Sequence, residues 1–255
     1  MKNYLKIIGL VGAGIALIVL FLILTSKDSD SFSYNTDDLL KEFLQEDNYS
    51  ETLEVQYIDD NGISSSIDKS VVYESKKSSS YTVTTSRGGE VNGQFFGIYY
   101  SRYSSQGQDY IKYNDDAVID LLGDEIPVEE WLDLGDPNVQ EMIPGVSDMK
   151  KDFEKESLYS LISAMILESE IDFSNLKVDK SDNNSITYDI SGAGELIEVI
   201  NSKFVGDVEL SDGADPKLLF EVSDGKISKL VISYDSGSVV YEVNGYSQQK
   251  IESPV

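Results

Sequence analysis

Alternation of apolar and polar residues at every second position is the feature that most limits the folds open to this chain. Leu53, Val55 and Tyr57 alternate with Glu54 and Gln56. Side chains two residues apart lie on the same face of a β-strand. The same reasoning predicts nine further strands, over residues 67–74, 79–85, 94–103, 109–113, 176–178, 186–190, 217–222, 226–234 and 238–246. We therefore expect a chain built around a β-sheet.

Short turns between the predicted strands indicate that neighbouring strands run antiparallel. Asp59-Asp60-Asn61-Gly62 predicts a hairpin of the Asn-Gly type, and Arg87-Gly88-Gly89-Glu90 is expected to form a second turn. Asp224-Gly225 and Ser236-Gly237 separate the last three strands. The strand–helix–strand alternation that is typical of parallel sheets does not occur.

Apolar spacings of three and four residues predict helices between groups of strands. Residues 37–45 are expected to form a short amphipathic helix, with Thr36 or Asp37 as its N-cap. Residues 150–169 give the best predicted helix beyond the N-terminal segment, and shorter helices are expected around 117–122 and over 195–204. The predicted fold class is α+β, a single domain with an antiparallel sheet.

The absence of histidine and cysteine excludes much of catalytic and metal chemistry. A Ser-His-Asp triad, a Cys-His pair, a His or Cys zinc site and a disulfide are all impossible. The 46 acidic residues against 20 basic ones, a net charge of −26, argue against nucleic acid as a partner. We predict no enzyme activity, no metal site and no cofactor, although a hydrolase that uses carboxylates alone stays a minor alternative.

An uncharged apolar run near the N-terminus predicts a membrane anchor. Ile7–Leu24 has 18 residues, and as a helix it would be about 27 Å long, close to the roughly 30 Å hydrocarbon core of a bilayer. Lys2 and Lys6 precede the run, which predicts a cytoplasmic N-terminus and an extracytoplasmic remainder. The expected organisation is a cytoplasmic segment 1–6, an anchor 7–24, a flexible linker 25–36 and one domain 37–255.

A cleaved signal peptide is the alternative for this segment. Such peptides have an apolar region of about 7–15 residues followed by a small-x-small cleavage site. The run here is longer and ends in Leu22-Ile23-Leu24-Thr25-Ser26, which is a poor cleavage site. The sequence therefore favours a signal anchor that stays in the bilayer.

The order of elements and three short segments resemble the LppX/LolA-like family of envelope lipid-binding proteins. Gln108-Asp109-Tyr110-Ile111-Lys112-Tyr113, followed by Trp131-Leu132-Asp133-Leu134, is similar to a segment of that family. The strands 227–234 and 238–246 resemble its last strand pair, and Ile251-Glu252-Ser253-Pro254 resembles its closing residues. The resemblance implies a curved antiparallel half-barrel wrapped around helices, with an apolar cavity for a lipid or acyl chain.

Tyrosines of the sheet and the apolar stripe of the 150–169 helix are the candidate ligand-binding residues. In the family that the chain resembles, the same helix face lines the cavity, and tyrosine offers a ring together with a hydroxyl. The predicted ligand-binding residues are Tyr99, Tyr110, Trp131, Leu158, Leu161, Ile162, Met165 and Ile166. Ordinary packing of the helix on the sheet accounts for the stripe equally well.

Two functions follow from this sequence. The first is a non-enzymatic, membrane-anchored protein that binds a lipid or another amphipathic ligand in a half-barrel cavity. The second is a cell-surface sensor or assembly domain that binds a protein or glycan through its acidic, tyrosine-bearing face. The direction in which the apolar side chains of the sheet point is the feature that separates the two.

Overall fold

The computed structural model describes residues 32–46, 48–58, 64–75, 80–91, 94–105, 107–114, 126–143, 157–169, 171–203, 215–235 and 237–246. The predicted anchor 7–24, the turn at 59–62, the helix around 117–122 and the tail 251–254 lie outside these residues. Within the described part of the chain, none of the helices has both the length and the apolar character needed to cross a bilayer.

Eleven strands among the described residues form one sheet, and every neighbouring pair of strands is antiparallel. The strands are β1 Tyr49–Ile58, β2 Ser64–Ser75, β3 Ser80–Val91, β4 Gln94–Ser105, β5 Gln108–Tyr113, β6 Leu132–Asp133, β7 Lys177–Ser181, β8 Ser185–Asp189, β9 Lys217–Ser223, β10 Lys226–Tyr234 and β11 Gly237–Gly245. Their spatial order is β6-β5-β4-β3-β2-β1-β11-β10-β9-β8-β7. The antiparallel sheet predicted from the sequence is confirmed.

The sheet consists of two sequential meanders that are joined by their first and last strands. β1 to β6 follow one another in space on one side, and β7 to β11 do so on the other. β1 and β11 complete the sheet by pairing from Ser50 with Gly245 to Tyr57 with Gly237. This ladder holds together parts of the chain that are almost 200 residues apart.

Cross-strand register aligns large apolar side chains in a row on one face of the sheet. Leu53 of β1 pairs with Tyr241 of β11, which pairs with Leu230 of β10. Leu230 pairs with Phe220 of β9, and Phe220 pairs with Ile186 of β8. Directly opposed residues of antiparallel strands point to the same side, and all five are buried. We call this side the inner face.

The described residues contain four α-helices beside the sheet: α1 Thr36–Gln45, α2 Pro137–Met142, α3 Leu158–Leu167 and α4 Gly194–Ser202. The first helix begins one residue earlier than predicted, because Asn35 is its N-cap and accepts a hydrogen bond from Asp38 N. Thr36 is buried instead, with its Oγ1 2.7 Å from the hydroxyl of Tyr188. The α+β class is therefore confirmed, while the predicted N-cap is wrong.

Of the best predicted helix, 150–169, residues 150–156 lie outside the described residues, and α3 covers Leu158–Leu167 of the rest. Ser157 has extended backbone angles and caps the helix, because its hydroxyl accepts a hydrogen bond from Ser160 N. A helix cannot continue through that backbone conformation. The carboxylate of Glu51, on β1, is fully buried and accepts a hydrogen bond from Leu158 N at 3.2 Å. Negative charge is favourable at this end of a helix.

The main core lies between the inner face and three of the helices. α1 contributes Leu39, Leu40 and Phe43, α3 contributes its apolar stripe, and α4 contributes Leu196 and Ile200. Phe173, in a short 3₁₀ turn at Phe173–Asn175, packs edge-on against Tyr188 and Phe220 at centroid distances of 5.7 Å. The inner side of β1 and β8 to β11 is thus closed by helices.

The segment Arg87-Gly88-Gly89-Glu90 forms no turn but lies inside β3. Gly88 pairs with Ser66 on one side and with Gly97 on the other, so the strand is held by two ladders. Hydrogen bonding to both neighbours compensates for the low strand preference of glycine. The predicted turn is wrong, and β3 extends to Val91.

The described end of the predicted linker 25–36 contacts the folded domain. Phe32 N donates a hydrogen bond to Ser181 Oγ of β7, at 2.9 Å. The ring of Phe32 packs against the main core and lies 5.6 Å from that of Tyr34. Residues 32–34 therefore lie against the domain, with Phe32 at edge strand β7.

Replacing Glu51 tests the contact between β1 and α3. In Glu51→Ala, the Leu158 N–H loses its acceptor in a buried environment, so we expect the free energy of unfolding to fall by about 2 kcal/mol. The matched control is Glu54→Ala, which lies on the same strand but is exposed and should change stability by less than about 0.5 kcal/mol. Denaturant unfolding of both variants is the measurement, and equal losses would contradict the role of Glu51.

Candidate functional site

The β4–β5 hairpin has one row of tyrosines on each face of the sheet. Leu53 pairs with Lys69, and Lys69 pairs with Thr85. Thr85 in turn pairs with Tyr100, and Tyr100 pairs with Tyr113. Tyr100 and Tyr113 therefore share the inner face with Leu53. Their sequence neighbours point to the opposite side, which we call the outer face.

On the inner face, this hairpin forms a second apolar cluster. Ile111 of β5 is 1% exposed and Tyr113 is fully buried. The members of this hairpin cluster are Tyr100, Ile111, Tyr113, Ile126, Leu134, Val139 and Ile143. α2 and the segment before it thus cover the inner side of β4 and β5, as the other helices cover β1 and β8 to β11.

The hydroxyl of Tyr113 is the one polar group of this cluster that the described residues leave unsatisfied. Its oxygen is inaccessible to solvent, and none of the described donors or acceptors lies within hydrogen-bond distance. The ring lies 6.3 Å from that of Tyr100. Burial, with a smaller contribution from Tyr100, raises the pKa of Tyr113 to about 12. The group is therefore a neutral donor at physiological pH.

A buried ion pair lies beside this cluster on the inner face. Arg102 is 2% exposed, and its Nε and one Nη bind the carboxylate of Asp109 at 3.0–3.1 Å. The negative carboxylate of Asp109, bound in a bidentate geometry, compensates the positive charge of the guanidinium. The hairpin therefore brings an apolar wall, a phenol donor and a neutralised ion pair together on one side of the sheet.

The outer face of the hairpin carries a third cluster, formed by Tyr103, Tyr110 and Trp131. The rings of Tyr103 and Tyr110 are 6.0 Å apart. Lys112 Nζ lies 5.7 Å from the centre of the Trp131 ring and 3.3 Å from the carboxylate of Glu129. Trp131 is half-buried, so this small cluster presents aromatic surface on the side away from the helices.

The eight predicted ligand-binding residues divide between the two faces. Leu158, Leu161, Ile162 and Met165 are fully buried in the main core, and Ile166 packs against it. Tyr110 and Trp131 belong to the outer cluster, and Tyr99 is 42% exposed on that same face. No single site can include both groups, since the sheet lies between them. Their contact with a ligand stays a prediction.

Tyr100, Arg102 and Tyr113 lie on the inner face and are not among the eight predicted ligand-binding residues. Alternation along a strand divides the tyrosines of the hairpin into two sets, and the register that pairs Tyr100 with Tyr113 shows which set shares a face. The predicted residues Tyr99 and Tyr110 occupy the alternate positions of β4 and β5, so they lie on the outer face. Only the pairing of the strands identifies which of the two alternating sets of side chains faces the helices.

Two recesses lined by described residues lie around α4. One, of about 440 Å³, is lined by Glu168, Glu195, Glu198 and their neighbours. The other, of about 370 Å³, is bordered by Asp172, Asn175 and residues 192–195. Neither includes a predicted ligand-binding residue, and within the described ranges no group of three acidic side chains is placed to hold a metal ion.

Comparison with known proteins gives distant structural similarities alone. No protein-family model matches the chain, and no curated protein matches it. The crystal structure of LprF from Mycobacterium bovis is similar over 86% of this chain and 94% of that chain, with a TM-score of 0.41 and 12% identity. Similarity at this level does not establish membership of a family.

Removing the acceptor of the buried ion pair should strongly destabilise the hairpin. Asp109→Ala leaves the Arg102 guanidinium buried without its bidentate partner, and we expect a loss of about 3 kcal/mol in unfolding free energy. The control is Glu129→Ala, which removes the exposed carboxylate of the Lys112 pair and should cost less than about 1 kcal/mol. Thermal and denaturant unfolding measure both, and similar losses would show that the Arg102–Asp109 pair contributes little.

Proposed function

We propose that the protein is a non-enzymatic binding domain that holds a lipid or another amphipathic ligand on the inner face of its sheet. The observation that carries this proposal is Tyr113, whose fully buried hydroxyl has no hydrogen-bond partner among the described residues. A buried polar group without a partner costs about 1–3 kcal/mol, and such groups in proteins usually meet an ordered water or a ligand.

The surroundings of Tyr113 favour an amphipathic ligand over a polar one. Its cluster consists of aliphatic and tyrosine side chains, which suit a hydrocarbon chain. The Tyr113 hydroxyl, which has no partner among the described residues, suits one polar atom on that chain. In the proposed architecture the sheet curves into a half-barrel, so that its inner face surrounds the ligand and the helices close the open side.

We propose further that residues 7–24 anchor this domain in a membrane with the C-terminal part outside the cytoplasm. The support is the uncharged run and the two lysines before it. Protease added to intact cells should then digest the chain beyond residue 24. Full protection of the chain in cells with an intact membrane would contradict this orientation.

The second candidate function is recognition of a protein or glycan at the cell surface. It is favoured by the outer cluster, where Trp131 is half-buried and the neighbouring Tyr99 is 42% exposed on the same face. Exposed aromatic side chains with polar tips are frequent in binding surfaces. In this case the inner face would be an ordinary packed core.

Native mass spectrometry of the full chain, purified in a maltoside detergent, tests the proposed function. We expect an additional mass of several hundred daltons that organic solvent extracts. Tyr113→Trp adds volume to the hairpin cluster and should displace the ligand, whereas Tyr110→Trp on the outer face should retain it. A bare mass for the wild-type chain, or loss of the ligand only in Tyr110→Trp, would contradict the proposal.

A further inference from the structure

We infer that Tyr113 selects the ligand, because its hydroxyl donates a hydrogen bond to an uncharged oxygen acceptor, such as a carbonyl, on an apolar chain. This inference rests on the proposed function and specifies the chemistry of its site. It assigns to Tyr113 a specificity-determining role that hydrocarbon packing alone would not require.

The first step is that Tyr113 offers a donor. The pKa of its phenol lies at about 12, so the group carries a proton at every physiological pH. Its oxygen is buried, and the described residues provide it with no acceptor. A phenol hydroxyl can both donate and accept, but its proton is satisfied only by an acceptor, so a ligand acceptor such as a carbonyl oxygen is favoured at this point.

The second step concerns charge. The cationic group on the same face, Arg102, pairs with Ile111, two residues before Tyr113, and already binds Asp109 through two nitrogens. Lys112, next to Tyr113 in sequence, lies on the outer face and pairs with Glu129. The hairpin therefore supplies a hydrogen bond without net positive charge. Burying a carboxylate or phosphate against it would be costly, and the net charge of −26 adds long-range repulsion of anions.

The third step is that the hydrogen bond between the Tyr113 hydroxyl and the ligand oxygen gives each group the partner that it lacks. Without ligand, the phenol lowers the stability of the domain, and with ligand it contributes affinity. Removing only the hydroxyl should therefore change stability and affinity in opposite directions. An ordinary structural tyrosine with a hidden water partner would instead lose stability when the hydroxyl is removed.

The experiment compares the full chain in maltoside detergent with Tyr113→Phe and with Tyr110→Phe as the matched control. Three probes of equal chain length are titrated by native mass spectrometry: 1-palmitoylglycerol, its ether analogue 1-O-hexadecylglycerol, and palmitate. The ester has a carbonyl, the ether has none, and palmitate is anionic. We expect the wild-type chain and Tyr110→Phe to bind the ester about fivefold more tightly than the ether, and palmitate most weakly.

In Tyr113→Phe, the preference for the ester over the ether should disappear. Its ligand-free unfolding midpoint should rise by about 3 °C, since an unsatisfied polar group has been removed. Retained preference, a lower midpoint, or tightest binding of palmitate would overturn the inference while leaving the proposed function in place. Failure of the wild-type chain to bind any of the three probes, together with a bare mass from cells, would overturn the proposed function itself.

Discussion

The antiparallel pairing of β1 with β11 is the interaction on which the rest of the structure depends. Each meander is held by contacts between neighbouring segments of sequence, but only this ladder joins them into one sheet. It also fixes the relative register of the two halves. Leu53 and Tyr241 meet on the inner face, and a shift of one residue would turn the apolar row of one half toward solvent.

The common inner face then determines where the helices pack. α1, α3 and α4 bury their apolar sides on β1 and β8 to β11, and Glu51 fixes the start of α3 because it accepts a hydrogen bond from Leu158 N. α2 and the segment before it cover the inner side of β4 and β5 separately. The unpartnered hydroxyl of Tyr113 and the Arg102–Asp109 ion pair lie on that side. The candidate site is thus a consequence of register, since Tyr100 and Tyr113 reach the inner face only through the ladders between β1 and β5.

Local patterns predicted the elements well and the site poorly. The two-residue period located β10 with its observed bounds, 226–234, because that strand alternates regularly between turn residues. Gly88 and Gly89 suggested a turn, yet pairing on both sides holds them in β3. Ser157 is the N-cap of α3, a cap that the apolar stripe alone did not reveal. The faces of Tyr99 and Tyr110 depend on pairing with distant strands, which no local pattern contains.

Photochemical labelling tests most directly the central claim that the ligand lies on the inner face. The full chain is loaded with a palmitoylglycerol that carries a diazirine on its acyl chain, irradiated, and sequenced by fragment-ion mass spectrometry. We predict label on Tyr100, Ile111 and Tyr113, the inner side of the hairpin. Label confined to Tyr99, Tyr110 and Trp131 would place the ligand on the outer face and contradict the account.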